Sequence, residues 1–317
     1  LEKDFADYCG TKYAVSMSNC GAATLVTLEA LGIGKGDEVI INTFTMAAPH
    51  FAIVRTGATP VLVDSEPITW NIDTDQIERK ITDSTKAIIV AHVYGHSANM
   101  QRVIEIAQEY KLKVIEDAAE ALGAEANGLK CGGIGDAGNF SMYFNKIIVA
   151  GEGGMIVTND KLLADRARLI KSYATDPDNR FTHEYLGFNF RMSNLLAAVG
   201  CAQFKKLDKF TARKIAIAKR YTDNLKDIVG LNLPRELPWA KHCYWVYALL
   251  VNDKSRINRD MLIESLYKSG IETRHFFVPL HLQPVFLKMG LFKNEHYPVS
   301  EDISRRGLYL PNGVTLT

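Results

Sequence analysis

No CxxC, HxH or HExxH spacing occurs in this chain, so a structural or catalytic zinc site has no support and no metal is expected. The five cysteines, Cys9, Cys20, Cys131, Cys201 and Cys243, are odd in number and scattered. That pattern predicts free thiols in a reducing cytosol, not a disulfide framework. No run of 18 apolar residues is present, which argues against a membrane span. The opening LEKDFADYCG is charged and carries no signal-peptide core. The 37 basic and 36 acidic residues leave a net charge of +1 with no Lys/Arg block. Nucleic-acid and membrane-surface binding therefore gain nothing from charge. Internal repeats and low-complexity segments are also missing. The end, YLPNGVTLT, lacks a closing helical pattern and reads as a trimmed terminus.

What remains is an ordinary globular composition over 317 residues, 47% hydrophobic and 23% charged. That length allows a sizeable core and roughly two domains. Four short β-branched runs read as strands: DEVIINTF (37–44), TPVLVD (59–64), KAIIVAHVYG (86–95) and LKVIEDA (112–118). GAATLVTLEALG, AAPHFAIVRTG and MQRVIEIAQEYK, lying between them, read as helices. Alternation of this kind, with continuously apolar strands, predicts an α/β fold with a mostly parallel sheet between helices. From Leu195 to Ile228 apolar residues recur at helical steps, predicting one long helix. VGLNLPRELP (229–238) breaks it. Beyond come a strand (244–251), a helix (258–270) and another strand (271–279). The expected division is a large domain over 1–228, including the long connecting helix, and a smaller C-terminal α/β domain over 229–317.

Ligands bind open α/β sheets beyond the carboxyl ends of the strands. Asp117, beside Glu116, falls at such an end in VIEDAAEALGA (114–124). Alone it reads first as a helix cap or a first-turn acid. Lys146 stands in an uncharged, aromatic setting, FSMYFNKIIVAGEGGM (140–155). A carboxylate and an isolated lysine beyond a parallel sheet suit pyridoxal 5'-phosphate (PLP). Lysine holds the aldehyde, and the carboxylate pairs with the protonated ring nitrogen. SMSNCGAATLVTLEALG (16–32) offers a phosphate site, since Gly21, Ala22 and Ala23 leave bare N–H groups on a first helical turn capped by Ser18 and Asn19. An ordinary capped helix fits the same residues. Ser141 is either a phosphate donor or a turn residue. GIGDAG (133–138) matches GxGxxG but follows a loop and opens no clear helix, so it is not read as a dinucleotide site. His92, His96 and His281 read as structural or substrate-contacting.

Taken together, KYAVSMSN, AHVYG, VIEDAAEALGA, GDAGNFSMYFNK, AGEGGMIVTND, LGFNFRMSNLLAA, GIETRHFFVPLHLQP and SEDISRRGLYLP resemble the DegT/DnrJ/EryC1/StrS family. Its members are fold-type I PLP-dependent aminotransferases acting on sugar nucleotides, and the resemblance runs from about residue 2 to residue 311. The NK…GEGGM wording is most similar to the branch that makes 4-amino sugars, that of GDP-perosamine synthase. The resemblance implies that Lys146 is the Schiff-base lysine and proton shuttle, with PLP and PMP as alternating cofactor forms. It implies that Asp117 is the ring-nitrogen partner, Glu120 a neighbour of the ring 3-hydroxyl and Ser141 a phosphate ligand. Asn189 and Arg191, in GFNFR, match a segment that reaches the cofactor phosphate of the other subunit, implying a homodimer with shared active sites. The implied reaction moves an amino group from glutamate to C4 of a 4-keto-6-deoxy sugar nucleotide in the cytoplasm. Amination at C3 of a 3-keto sugar nucleotide, or a non-catalytic regulator, are the alternatives. The family's dehydratases carry histidine in place of the lysine, so Lys146 argues against that branch. Two positions depart from the pattern: Cys20-Gly21 replaces the usual Gly-Thr, and Met46 stands where an aromatic ring often covers PLP.

Overall fold

A computed structural model describes residues 1–317 except 177, 178, 180, 184, 253 and 317. The main sheet holds β1 (Tyr13–Met17), β2 (Glu38–Asn42), β3 (Thr59–Val63), β4 (Thr85–Ala91) and β5 (Lys113–Asp117). After a short side pair, β6 (Glu125–Ala126) and β7 (Leu129–Lys130), the chain returns to it with β8 (Ala137–Ser141) and β9 (Gly154–Thr158). The order is β1-β9-β8-β5-β4-β2-β3. Pairing is parallel from β8 through β5, β4 and β2 to β3, while β9 runs antiparallel to both β8 and β1. The parallel strands expected from 37–118 are therefore present. The antiparallel edge went unread, because YAVSM and GMIVT are short and have no hairpin turn between them.

Strand alternation sends successive side chains to opposite faces. Val39, Ile41, Ala87, Ile89 and Ile115 share one buried cluster with Leu25 and Leu28 of α2 (Cys20–Ala30) and Ile53 of α3 (Ala48–Thr56). Ile40, Ile88, Val90 and Val114 meet Met100, Val103 and Ile106 of α4 (Met100–Tyr110) on the other face. Both faces are thus covered, which explains why these strands read as unbroken apolar runs. At the β9 end, α1 (Glu2–Cys9) brings Phe5 and Ala6 against Phe140 and Met155, while α5 (Lys161–Ile170) packs against Ile156 from the opposite side. Fully burying a side chain such as Leu28 contributes about 1.5–3 kcal/mol.

The single helix expected over 195–228 is in fact two, α6 (Asn194–Phe204) and α7 (Leu207–Leu225). The break falls at Lys205-Lys206. The Phe204 ring lies tilted against that of Phe5, 4.8 Å between centroids, and Leu207 enters the same cluster. Residues three apart share one face of a helix, so the apolar spacing runs on across the break. A second sheet follows, formed by β10 (Leu231–Asn232), β12 (Tyr247–Val251), β13 (Arg274–His275) and β14 (Gly307–Leu310) in the order β10-β12-β14-β13. Between the first two, β11 (Ala240–Lys241) joins β6 and β7 in a small third sheet. The helix expected over 258–270 is α8 (Arg259–Lys268). The strand expected over 271–279 shrinks to Arg274–His275, because Phe276 turns inward against Trp70 and Tyr94. Residues of the C-terminal segment then cross to the main sheet. Leu280 N–H donates to Thr43 O at 2.8 Å, and Phe286 of α9 (Pro284–Lys288) shares the cluster of β2 and α3. Asp64 accepts the first-turn amides of Val299 and Ser300, at 3.0 and 2.9 Å, on α10 (Pro298–Arg306). The main core is therefore completed by residues far beyond 229.

Candidate active site

The carboxyl ends of β5 and β8 carry the candidate acid, the candidate lysine and the candidate serine. Asp117 closes β5 and is 7% exposed. Its Oδ1 accepts the Ala119 amide at 3.2 Å, and its other oxygen has no hydrogen bond among the described residues. It therefore caps no helix. Burial raises its pKa, opposed by the charge of Lys146. Glu120 lies three residues on, 8% exposed, with Oε2 accepting the Tyr94 amide at 2.8 Å. Burial pushes Glu120 up to about 7, again against the pull of Lys146.

Lys146 lies in the turn between β8 and β9, half-buried, with Nζ 3.7 Å from the centre of the Trp245 ring. Cation and aromatic face attract at that range. Trp245 is held in turn: its Nε1–H donates to Asn145 O at 2.8 Å. Nothing in the sequence pointed to Trp245, which lies far along the chain from its partner. A cleft of about 1050 Å³ opens beside them, lined by Phe144, Asn145, Lys146, Trp245 and residues near Arg274 and Tyr309.

The first turn of α2 faces the same place. Asn19 caps it by accepting the Ala22 amide at 2.8 Å, which leaves the amides of Cys20 and Gly21 without a bond among the described residues. The Cys20 thiol, pushed well above its ordinary value by burial, also lies in the fields of Asp117, Lys146 and Glu120. Two features seat the helix. Thr27 Oγ1 donates to the buried Asn139 of β8 at 3.0 Å. Gly154 permits close approach, since a Cβ there would lie 2.4 Å from Asn19 O. Gly154 pairs with Ser141 across β8 and β9, so the serine borders the helix N-terminus. Ser141 Oγ accepts the Tyr143 amide at 3.3 Å, which keeps its own proton free to donate.

Met46 follows β2 and precedes α3 and is 55% exposed. The start of α3 adjoins α2, since a Cβ on Gly21 would be 3.8 Å from that of Ala48. Asn189 is exposed between Phe188 and Phe190, whose stacked rings pack inward. Phe190 O accepts the Ser18 amide at 2.7 Å, tying this segment to the α2 cap. Arg191 lies over the Tyr173 ring at 5.4 Å. The sequence had set Glu116 beside Asp117, and the structure separates their roles. Glu116 points away, accepting the amides of Gly132, Ile134 and Gly135 at 2.6–2.7 Å. The glycine-rich GIGDAG run therefore holds an internal carboxylate, which explains its resemblance to an anion-binding loop. His92 completes that clasp. The Ala98 amide donates to its Nδ1, so the ring proton sits on Nε2 and donates to Glu116 at 2.9 Å.

A sheet with its acid, lysine and helix N-terminus converging in this way defines the fold of PLP-dependent transferases of fold type I. The chain belongs to the DegT/DnrJ/EryC1/StrS aminotransferase family, which it matches over residues 1–317. It is an enzyme, an aminotransferase of that family. It is 39% identical to the GDP-perosamine synthase of Caulobacter vibrioides over 318 residues, covering all of this chain and 85% of that protein. The GDP-perosamine synthase of Escherichia coli O157:H7 is 40% identical with the same coverage. Among solved structures, DesV of S. venezuelae, in complex with a ketimine intermediate, superposes with a TM-score of 0.93 at 34% identity, covering 100% of this chain and 84% of that one.

Proposed function

We propose that this aminotransferase uses PLP to move an amino group from glutamate to C4 of a 4-keto-6-deoxy sugar nucleotide, giving a perosamine- or viosamine-type product. The observation that carries the reading is the convergence of Lys146, Asp117 and the open first turn of α2. The identity of 39–40% to two GDP-perosamine synthases supports the sugar-nucleotide class and the C4 position.

The residues present fit the cofactor. Asp117 offers a buried carboxylate oxygen with no other partner among the described residues. Cys20 and Gly21 offer two free amides at a helix N-terminus, and Ser141 offers a hydroxyl proton, which together suit a phosphate. When bound, PLP supplies an aldehyde carbon and an electron-withdrawing ring. Lys146 Nζ would hold that carbon at rest and carry a proton to and from the substrate carbon during transfer. Asp117 would keep a proton on the ring nitrogen. The amides of Cys20 and Gly21, Ser141 and the partner subunit's GFNFR segment, through Asn189, would hold the phosphate, whereas the Ala22 amide, expected from the sequence to take part, is occupied by Asn19 Oδ1. Met46 would cover the ring, and Glu120 would stand near its 3-hydroxyl.

The reading includes a cytosolic homodimer with shared sites, and a division into 1–228 and 229–317. A panel of keto-sugar nucleotides, incubated with PLP-loaded enzyme and glutamate, checks the chemistry. Amination at C4 of a 4-keto-6-deoxy sugar nucleotide is the expected product. Exclusive amination of a 3-keto sugar nucleotide would replace it with the C3 reading.

A further inference from the structure

The Lys146 side chain ends in an ammonium with three N–H donors. Among the described residues its Nζ makes no hydrogen bond, and no carboxylate lies within ion-pair range of it. What it has instead is an aromatic face, that of Trp245, whose ring centre is 3.7 Å away. The choice of partner has chemical consequences. A carboxylate would bind the ammonium by a strong charge-assisted hydrogen bond and keep it charged. An indole face attracts it more weakly, from one direction, and accepts none of its protons in a strong bond. The amine is placed without being tied.

The indole is built as a rigid platform. Trp245 is 5% exposed. Its Nε1–H donates to Asn145 O at 2.8 Å, and that carbonyl belongs to the peptide unit that carries Lys146. The Lys146 amide of the same unit donates to Tyr143 O at 2.9 Å, which closes the turn. One residue from far along the chain thus holds the lysine at both ends, its main chain through the indole N–H and its Nζ through the ring. The main chain of Trp245 is fixed in turn. Lys214 Nζ donates to its carbonyl at 3.0 Å. Behind it lies a strained turn. Tyr94 adopts φ +55°, a left-handed conformation costly for a bulky residue, and Gly95 follows at φ +101°. A Cβ on Gly95 would lie 2.9 Å from Trp245 N, and Gly95 O accepts the Cys243 amide at 3.0 Å. The Tyr94 ring is stacked with that of Trp245, 6.4 Å between centroids, and its hydroxyl accepts the Phe277 amide at 3.1 Å. Backbone strain persists where the surroundings over-determine it, and here those surroundings set the height and tilt of the indole.

We propose that Trp245 is the positioning residue for Lys146: its indole face is the resting place of the amine whenever that amine is not joined to the cofactor. The inference rests on the reading of Lys146 as the cofactor lysine. A lysine stem is long and freely rotating, so an unrestrained amine spends most of its time pointing elsewhere. A face that restrains it shortens the search without competing for its lone pair. Phenylalanine at 245 keeps a face but loses the bond to Asn145 O. Leucine loses both.

The test uses the cofactor-free full chain and two readouts. The first is tryptophan emission. Of the three tryptophans, Trp245 is the one that the Lys146 ammonium touches among the described residues. Lys146→Met should therefore shift the emission, and should leave it unchanged in a Trp245→Phe background. The second is capture of added PLP, followed by growth of the bound-cofactor colour over a range of PLP concentrations. Trp245→Leu should lower the limiting rate about fivefold, the scale of releasing one restrained long side chain. The half-saturating PLP concentration should stay the same, because the α2 amides and Ser141 are untouched. Trp245→Phe should fall between the two. A tryptophan that only fills space would show neither the emission shift nor this split. Emission indifferent to Lys146→Met overturns the proposal, and that readout decides even where Trp245→Leu fails to fold. Unaltered limiting rates in both Trp245 variants overturn it as well, and leave the role of Lys146 standing. Covalent capture by Lys146→Met would instead overturn the lysine reading itself.

Discussion

The base of the site and its rim are built on opposite principles. At the base, Asp117, Glu120, Tyr94 and Trp245 are buried, and each has a fixed hydrogen-bond or ring partner in its own chain. Along the rim, among the described residues, Phe181 is 88% exposed, Leu186 92% and Leu195 82%. Tyr173, Tyr185 and Val199 are exposed beside them. Scattered apolar residues on a surface need no explanation, but a run of this density marks a surface made to be covered. The contrast fits the proposed homodimer, in which one chain would complete the chemical floor of the site and a second chain would cover the walls near Asn189. It supports the homodimer and gives a clear expectation: damage to the base should act within a subunit, and damage to the rim across subunits.

The largest effect should come from the base. Lys146→Ala removes the amine that holds the aldehyde and moves the proton, so turnover should fall by more than about 10⁴-fold. Stability should change little, since the Trp245 contact contributes about 0.5–1 kcal/mol. Lys146→Arg should fail equally, because a guanidinium stays protonated. Near-normal transamination by either variant would remove Lys146 from the site. Asp117→Asn comes next. Asparagine can still accept the Ala119 amide, and burial already disfavours the charged form, so thermal stability should be equal or higher. Activity should nevertheless drop about 10²- to 10³-fold, as when one aimed electrostatic group is lost. Full activity in the Asp117→Asn variant would mean that the acid serves only its local turn.

Rim damage should be smaller and shared. Leu195→Asp places a charge on a residue 82% exposed in the single chain, so folding should survive. Burial of one leucine in an interface contributes about 1.5–3 kcal/mol, and the dimer should weaken at least tenfold by sedimentation. An unchanged dimer would mean that the covering surface lies elsewhere. Mixing Lys146→Ala protein with Asn189→Ala/Arg191→Ala protein sharpens the point. If phosphate contacts come from the neighbour, each mixed dimer holds one intact site. Random exchange should then restore about a quarter of normal activity. No recovery, with exchange confirmed, would mean that each site is built from one chain.

The same contrast explains what the sequence could and could not reveal. β2, β4 and β5 were legible because strands buried on both faces must be apolar at every position. Asp117 and Lys146 stand out as candidates in the sequence because position beyond a parallel sheet narrows what an isolated charge can be for. Trp245 and the Tyr94 turn do not, because their roles come from contacts between the two sheets, and no local period encodes such contacts. AHVYG matches the family as a string of residues, yet its content is a left-handed backbone at Tyr94 and Gly95 that only three dimensions expose. Glu116 and Asp117 show the same limit: neighbours on a strand face opposite ways, so two adjacent acids serve unrelated ends. The break between α6 and α7 is hidden because the helical spacing of apolar residues, Phe204 and Leu207 among them, continues across it.

The smallest expected effect probes how the base tolerates a charge with no counter-ion. Lys214 on α7 is buried beneath Trp245, where its Nζ donates to Trp245 O at 3.0 Å and Asn312 O at 2.7 Å. Among the described residues, no carboxylate lies within ion-pair range of it. Burial lowers it from 10.5 to about 8. Between those values the unfolded chain binds the proton and the folded chain does not, so this residue's contribution to stability rises with pH across the window. The full gap corresponds to at most about 3 kcal/mol. Cys9, Cys243, Tyr94 and the partly buried Tyr8, all raised by burial, act in the opposite direction at alkaline pH. The lysine's contribution must therefore be read as a difference from Lys214→Met, in which those opposing groups cancel. Losing the donor to two carbonyls shifts the variant by an amount independent of pH, so only the slope matters. From pH 8 to pH 10.5 the unaltered protein should gain on the variant in urea unfolding, with no change in the gap below pH 7. A flat difference across the whole range would mean that the buried ammonium keeps its proton, and that two carbonyls alone are enough to hold a charge beneath the site.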